Sequence, residues 1–151
     1  RLVQDVGDVR LDLYDPVRFI RTHLLDRLDF TPQDAPIAVH VTCSTQHLGE
    51  SQALIDLARK CSKKVVIPEG IHCCGFAGDK GFTTPELNDH ALRRLPDAIP
   101  AGCEGGYSSN RTCEIGLSDH SPPAPARFSP TGARTMPRCC SAPARRVRRP
   151  N

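Results

Sequence analysis

Two adjacent cysteines, Cys73 and Cys74, carry the clearest chemistry in this sequence. They lie in residues 71–81, IHCCGFAGDKG, which also contain three glycines. Two neighbouring thiolates bridge each other with difficulty, but both can bind one soft metal centre. Glycine lets the backbone adopt a positive φ and come close to a bulky ligand, and Gly75 and Gly78 are predicted to do so here. This stretch is therefore predicted to form part of a metal or redox site.

The other cysteines decide between several kinds of site. Eight cysteines in 151 residues indicate either a disulfide scaffold or a metal or redox site. The sequence has α/β periodicity and no secretory signal in view, which favours a metal. The predicted ligands are Cys43, Cys73, Cys74 and Cys113, with Cys103 in reserve. They come singly or adjacent from three loops rather than as C-x-x-C pairs, which favours an iron–sulfur cluster over zinc. Zinc and redox-active thiols remain alternatives.

Short strands and helices alternate along the chain. Strands are predicted at Val9–Leu13, at 37–41 and at 65–67, and helices at 16–28, from Ser51 to near Lys60, and from Pro85 through Leu95. The predicted fold class is therefore α/β, a small parallel-sheet βαβ domain rich in cysteine. Ligands of such sheets gather at the carboxyl ends of the strands, and Cys43 and the Cys73–Cys74 pair both follow a predicted strand.

Charge and composition divide the chain in two. Residues 121–151 hold seven Arg and seven Pro and no acidic residue, which leaves 13 Lys and Arg against 17 Asp and Glu in residues 1–120, a net charge of −4. The first part is predicted to be a cysteine-rich domain and the second a disordered tail in which Cys139 and Cys140 are not ligands, with a non-native origin of the tail as a hypothesis. An acidic body with few aromatics argues against nucleic acid as a partner.

Several longer motifs resemble a known family. They are HVTCS at 40–44, CCGFAGDKGF at 73–82, PELN at 85–88 and GYSSNRTCEIGLS at 106–118. A single Cys, a CCG and a later Cys resemble the cysteine-rich CCG domain of heterodisulfide reductase and glycolate oxidase subunits. The longer motifs resemble the C-terminal region of FAD- and iron–sulfur-dependent D-lactate dehydrogenases. Asn110 stands where the family has a further cysteine, and the four that remain suit an ordinary [4Fe–4S] cluster.

The resemblance implies a function for the whole segment. It would be the electron relay of a flavin-dependent D-lactate, or other 2-hydroxy acid, dehydrogenase, in which the cluster takes electrons from FAD and passes them towards a quinone or a cytochrome. Arg111, beside Cys113, would offset the negative charge of the cluster. The flavin domain would precede this region, so we expect the chain to be a fragment, inactive alone, with no catalytic residue of its own. The expected location is the cytoplasm, with peripheral attachment to the inner face of the plasma membrane as an option. The alternatives are a zinc-stabilised interaction module and a thiol–disulfide redox module.

Overall fold

A three-stranded parallel sheet lies at the centre of the described part of the chain. The structure, a computed structural model, describes residues 2–6 and 9–121, with side chains from residue 12 onward. The predicted tail and the Cys139–Cys140 pair lie outside these residues, apart from Ser121. Strand β3 (Ile37–His40) is the middle strand, with β4 (Val65–Val66) on one side and β5 (Gly105–Ser108) on the other, both parallel to it. The predicted α/β fold class with a small parallel sheet is confirmed.

The strands differ in how well they could be predicted from the sequence. All four residues of β3 are buried, as expected for a strand with helices on both faces. β4 is one residue shorter than the predicted apolar run. The strand β5 was not predicted, because its two glycines carry little strand preference and the segment reads as a loop. Near the start of the chain, β1 (Leu2–Val6) and the predicted β2 (Val9–Leu13) form a separate antiparallel pair.

Seven α-helices surround the sheet in the described residues. They are α1 (Pro16–Phe19), α2 (Cys43–His47), α3 (Ser51–Cys61), α4 (Lys80–Thr83), α5 (Pro85–Leu92), α6 (Leu95–Ala98) and α7 (Arg111–His120). The helix predicted at 16–28 is α1 followed by a π-helical segment (Ile20–Leu24) and a 3₁₀ turn (Leu25–Arg27). Its start is as predicted, since the carboxylate of Asp15 accepts from the N–H of Val17 at 2.9 Å. No helix among the described residues is long and apolar enough to cross a bilayer.

The two faces of the sheet bury different cores. Ile37 and Val39 face a small cluster that includes Ala58 of α3. Ala38 points to the opposite face, as alternation along a strand requires, and joins the larger core. Leu92, Leu95 and Leu117 of that core, from α5, α6 and α7, are fully buried, and so are the side chains of three cysteines: Cys74, Cys103 and Cys113. The cysteine-bearing loops are therefore anchored in the main core.

Candidate thiol and metal centre

The four predicted ligands follow the carboxyl ends of the three parallel strands. Cys43 is the first residue of α2, directly after β3. Cys73 and Cys74 lie in the loop that follows β4, and Cys113 lies in the first turn of α7, after β5. Since parallel strands end at the same edge of a sheet, this placement agrees with the prediction for Cys43 and the Cys73–Cys74 pair. The strand before Cys113 was not predicted. Sequence analysis took Cys113 from a loop, whereas this residue lies in the helix that begins at Arg111.

Cys74 and Cys113 are in direct contact. Their Sγ atoms are 2.9 Å apart, and the two residues are 3% and 6% exposed. Cys43 and Cys73 are exposed. Of the four predicted ligands, two thus form a buried pair and two lie at the surface.

The contact shifts the pKa values of the two thiols in opposite directions. The hydrogen bond from the thiol of Cys113 lowers the pKa of Cys74 to about 6, and the N–H of Phe76 also stabilises the thiolate. The same hydrogen bond and burial raise the pKa of Cys113 far above its usual value, so this residue holds the proton. Coulombic interaction with Cys43 and Cys73 adds to the rise in the pKa of Cys113. The other three candidate ligands therefore all act on Cys113.

A sharp turn presents this pair. Gly75 has φ +73°, and a Cβ there would overlap the carbonyl oxygen of Leu87 in α5, so a larger residue would displace the loop. The N–H of Gly75 lies 3.4 Å from Sγ of Cys73. Gly78 has φ +75°, and an added Cβ would meet no atom within 4 Å. The positive φ predicted for both glycines is therefore confirmed. Their close approach to a ligand stays a prediction.

Asn88 fixes the position of Cys74, and sequence analysis gave it no role. Its buried side-chain amide donates to the carbonyl oxygen of Cys74. It also packs against Gly116 of α7, where a Cβ would overlap the amide. Asn88 thus holds the Cys73–Cys74 loop against the helix that carries Cys113. The only signal in the sequence was the presence of Asn88 in the PELN motif.

Three hydroxyl groups join the loop before Cys43 to the loop before Cys113. Oγ1 of Thr45 lies 2.8 Å from Oγ of Ser109, and Oγ1 of Thr42 lies 3.3 Å from it. Oγ1 of Thr42 also accepts from the N–H of Thr45 at 3.2 Å and so caps α2. The loops of two candidate ligands are in this way hydrogen-bonded to each other.

Asn110 and Arg111 have local partners. The side-chain oxygen of Asn110 accepts from the N–H of Thr112 at 3.0 Å, so Asn110 caps α7. Nη1 of Arg111 lies 3.2 Å from Oε2 of Glu114, a carboxylate only 3% exposed. The positive charge predicted to offset a cluster is therefore paired with Glu114.

The four candidate thiols are chemically suited to a soft metal, but the distance between Cys74 and Cys113 is not that of two metal ligands. No three His, Cys, Asp or Glu side chains within the described ranges are arranged to hold a metal ion. Two thiolates on one tetrahedral ion, at about 2.3 Å each, would be about 3.8 Å apart. At 2.9 Å, the Sγ atoms of Cys74 and Cys113 are closer together than two ligands of one metal ion would be. They would have to move apart to bind a metal, and further still to bind different irons of a cluster.

Cys103, the reserve ligand, is buried in the same core as Cys74 and Cys113. It is 1% exposed, and burial raises its pKa, which keeps the thiol protonated. Cys61, predicted to be a small buried hydrophobe, is half-buried at the end of α3.

A polar pair lies buried where β3 and β5 end. His40 and Ser108 are register partners, 2% and 4% exposed. Neither ring nitrogen of His40 nor Oγ of Ser108 has a hydrogen-bond partner among the described residues. Burial lowers the pKa of His40 to about 4, so its ring is neutral at pH 7. Sequence analysis treated His40 only as part of an apolar strand run.

A cleft that no cysteine lines lies near the sheet. It has a volume of about 490 Å³ and lies beyond the carboxyl ends of β3 and β4, between Gln46 and the segment 67–72. Its lining includes His40 and His72 and no cysteine. Nε2 of Gln46 crosses it, donating to the carbonyl oxygens of Val41 at 3.0 Å and His72 at 3.3 Å.

Comparisons of the chain with protein-family models, with curated proteins and with solved structures find no match. The family resemblance drawn from the sequence motifs therefore stays a prediction.

Proposed function

We propose that this chain is the iron–sulfur electron-relay segment of a flavin-dependent dehydrogenase for D-lactate or another 2-hydroxy acid. The segment would take electrons from the FAD of a preceding flavin domain and pass them towards a quinone or a cytochrome. Its place would be the cytoplasm, at the inner face of the plasma membrane, with no nucleic acid as a partner. Substrate oxidation would belong to the flavin domain.

One observation carries the proposal: the four candidate thiols all follow the carboxyl ends of three parallel strands, at one edge of the sheet. Cys74 and Cys113 already touch, and Cys43 and Cys73 are near enough to act on Cys113 through their charge. Thiolates are soft ligands, and four of them are the usual ligand set of an iron–sulfur cluster. Nothing in this arrangement requires a C-x-x-C pair.

The residues of the chain would hold and tune the cluster. A bound [4Fe–4S] cluster would supply one-electron transfer, with Cys43, Cys73, Cys74 and Cys113 as its ligands. The N–H groups of Gly75 and Phe76 point to the sulfurs of Cys73 and Cys74, respectively. Hydrogen bonds of this kind stabilise thiolate charge and raise the reduction potential of a cluster.

Anaerobic reconstitution tests the proposal. The full 151-residue chain is incubated with ferrous iron and sulfide, desalted, and analysed for iron, sulfide and visible absorption before and after dithionite. We expect about four irons per chain and a broad visible absorption that dithionite bleaches. Cys74→Ser should lose it, and so should Cys43→Ser, an exposed position where the change leaves the core untouched.

The control is Cys61→Ser, which removes a cysteine outside the candidate set. It should keep the iron and the absorption of the unchanged chain. Equal iron in Cys74→Ser, Cys43→Ser and Cys61→Ser would contradict the assigned ligands. If the chain stays colourless and binds zinc, the result would contradict the electron relay and support the alternative, a zinc-stabilised interaction module.

A further inference from the structure

The contact between the sulfurs of Cys74 and Cys113 suggests an activity that needs no metal. We propose that Cys74 and Cys113 form a reversible disulfide when the chain meets a hydroperoxide, and that this disulfide excludes metal from the site. The inference depends on the contact between these two thiols and not on the presence of an iron–sulfur cluster.

The pairing is specific. The six cysteines from Cys43 to Cys113 are all thiols, and the 2.9 Å contact joins Cys74 to a residue 39 positions away. Cys73 is adjacent to Cys74 in sequence, but it is exposed whereas Cys74 is buried. Cys103 is as buried as the pair and lies in the same core, yet no other thiol of the described chain is hydrogen-bonded to it.

The sulfurs of Cys74 and Cys113 would have to move little to form a disulfide bond. A disulfide has an S–S distance of about 2.05 Å, so the two sulfurs would have to approach by about 0.9 Å. The backbone on both sides is already held, since Asn88 donates to the carbonyl oxygen of Cys74 and packs against Gly116, three residues after Cys113. The fold thus presents the two thiols to each other before any oxidant arrives.

The reaction balances with hydrogen peroxide as the oxidant. The thiolate sulfur of Cys74 attacks one peroxide oxygen, the O–O bond breaks, and the departing hydroxide takes a proton to become water. The sulfur of Cys113 then attacks the resulting sulfenic acid, the S–O bond breaks, and a second water leaves with the Cys113 proton. Two thiols and one peroxide become one disulfide and two waters.

The disulfide and a metal would compete for the same atoms. Oxidation would remove two of the four candidate ligands, because a disulfide sulfur carries no thiolate charge. Bound metal would in turn hold the two sulfurs apart and protect them from peroxide.

Peptide mapping tests the inference on the full chain, purified with reductant and chelator and then freed of both. After one equivalent of hydrogen peroxide, remaining thiols are alkylated and the protein is digested with trypsin. Cys113 falls in the tryptic peptide 112–127, and Cys73 and Cys74 both fall in 65–80. We expect these two peptides to be linked, with loss of two hydrogen atoms, and separated again by dithiothreitol.

Three serine variants assign the bridge. Cys73→Ser should keep the linked peptides and Cys74→Ser should lose them, while Cys103→Ser, the buried control, should give the same yield as the unchanged chain. A bridge that survives Cys74→Ser and disappears in Cys73→Ser would overturn the inference. So would alkylation of Cys74 and Cys113 to the same extent before and after peroxide. A disulfide in a chain that binds no iron would support this inference and contradict the relay.

Discussion

At the scale of single residues, His40 is a buried base kept neutral by its surroundings. It is 2% exposed, and its ring nitrogens have no hydrogen-bond partner among the described residues. Burial lowers its pKa to about 4. In the unfolded chain the same ring titrates near pH 6.5, so the unfolded state takes up a proton first as the pH falls.

This linkage predicts acid sensitivity between pH 6.5 and 4. The pKa of His40 is lower in the folded than in the unfolded state, so its contribution to stability is complete above pH 6.5 and is lost as the pH falls towards 4. Between pH 7 and pH 5 the loss should be about 2 kcal/mol. Urea unfolding of the unchanged chain and of His40→Leu at both pH values measures it, and the variant should lose less. Equal losses in the two proteins would show that His40 does not carry the effect.

At the scale of elements, the Cys73–Cys74 loop is held to two helices by one amide. Asn88 of α5 donates to the carbonyl oxygen of Cys74 and fits against Gly116 of α7. The hydroxyls of Thr42, Thr45 and Ser109 form a second such link between loops. The geometry of the thiol pair therefore depends on contacts between elements and not on the CCG sequence alone.

Replacing this amide should weaken the fold. Asn88→Leu leaves a buried carbonyl oxygen without its donor, which should lower the free energy of unfolding by about 1–3 kcal/mol. The matched control is Gln52→Leu, an exposed amide on α3 that donates to Asp56 at 2.8 Å. It should change stability by less than about 0.5 kcal/mol. Urea unfolding of the unchanged chain, Asn88→Leu and Gln52→Leu measures these differences. Equal unfolding midpoints in all three would contradict the role assigned to Asn88.

Local sequence rules placed some elements and missed others for identifiable reasons. The Asp15–Pro16 cap and the apolar run before Cys43 were sufficient to predict α1 and β3. The strand β5 was missed because Gly105 and Gly106 pair with β3 through tertiary contacts. Strand propensities of single residues do not include such contacts. The thiol set was predicted by type, but the contact of Cys74 with Cys113 depends on how α5 and α7 pack, which no local pattern encodes.

At the scale of the whole molecule, the described contacts form one unit around a short sheet. Three strands of two to four residues are covered by α3 on one face and by α5, α6 and α7 on the other. This unit spans most of the predicted domain at 1–120. Residues 121–151 differ from it in composition and charge.

Deletion of residues 122–151 should therefore leave the stability of the domain unchanged. A segment rich in Pro and Arg without apolar periodicity has too little surface to bury to add to a core. In urea unfolding the midpoint and the slope should match those of the full chain, since the slope follows the surface exposed on unfolding. A smaller slope in the shortened chain would show that the tail packs against the domain.

The fit of Asn88 against Gly116 also has an evolutionary consequence. An alanine at position 116 would overlap the amide of residue 88 and push it away from the carbonyl oxygen of Cys74. Changes at the two positions should therefore be accepted together or not at all. Among homologous sequences, we expect positions 88 and 116 to covary, with a side chain at 116 only where residue 88 is shorter.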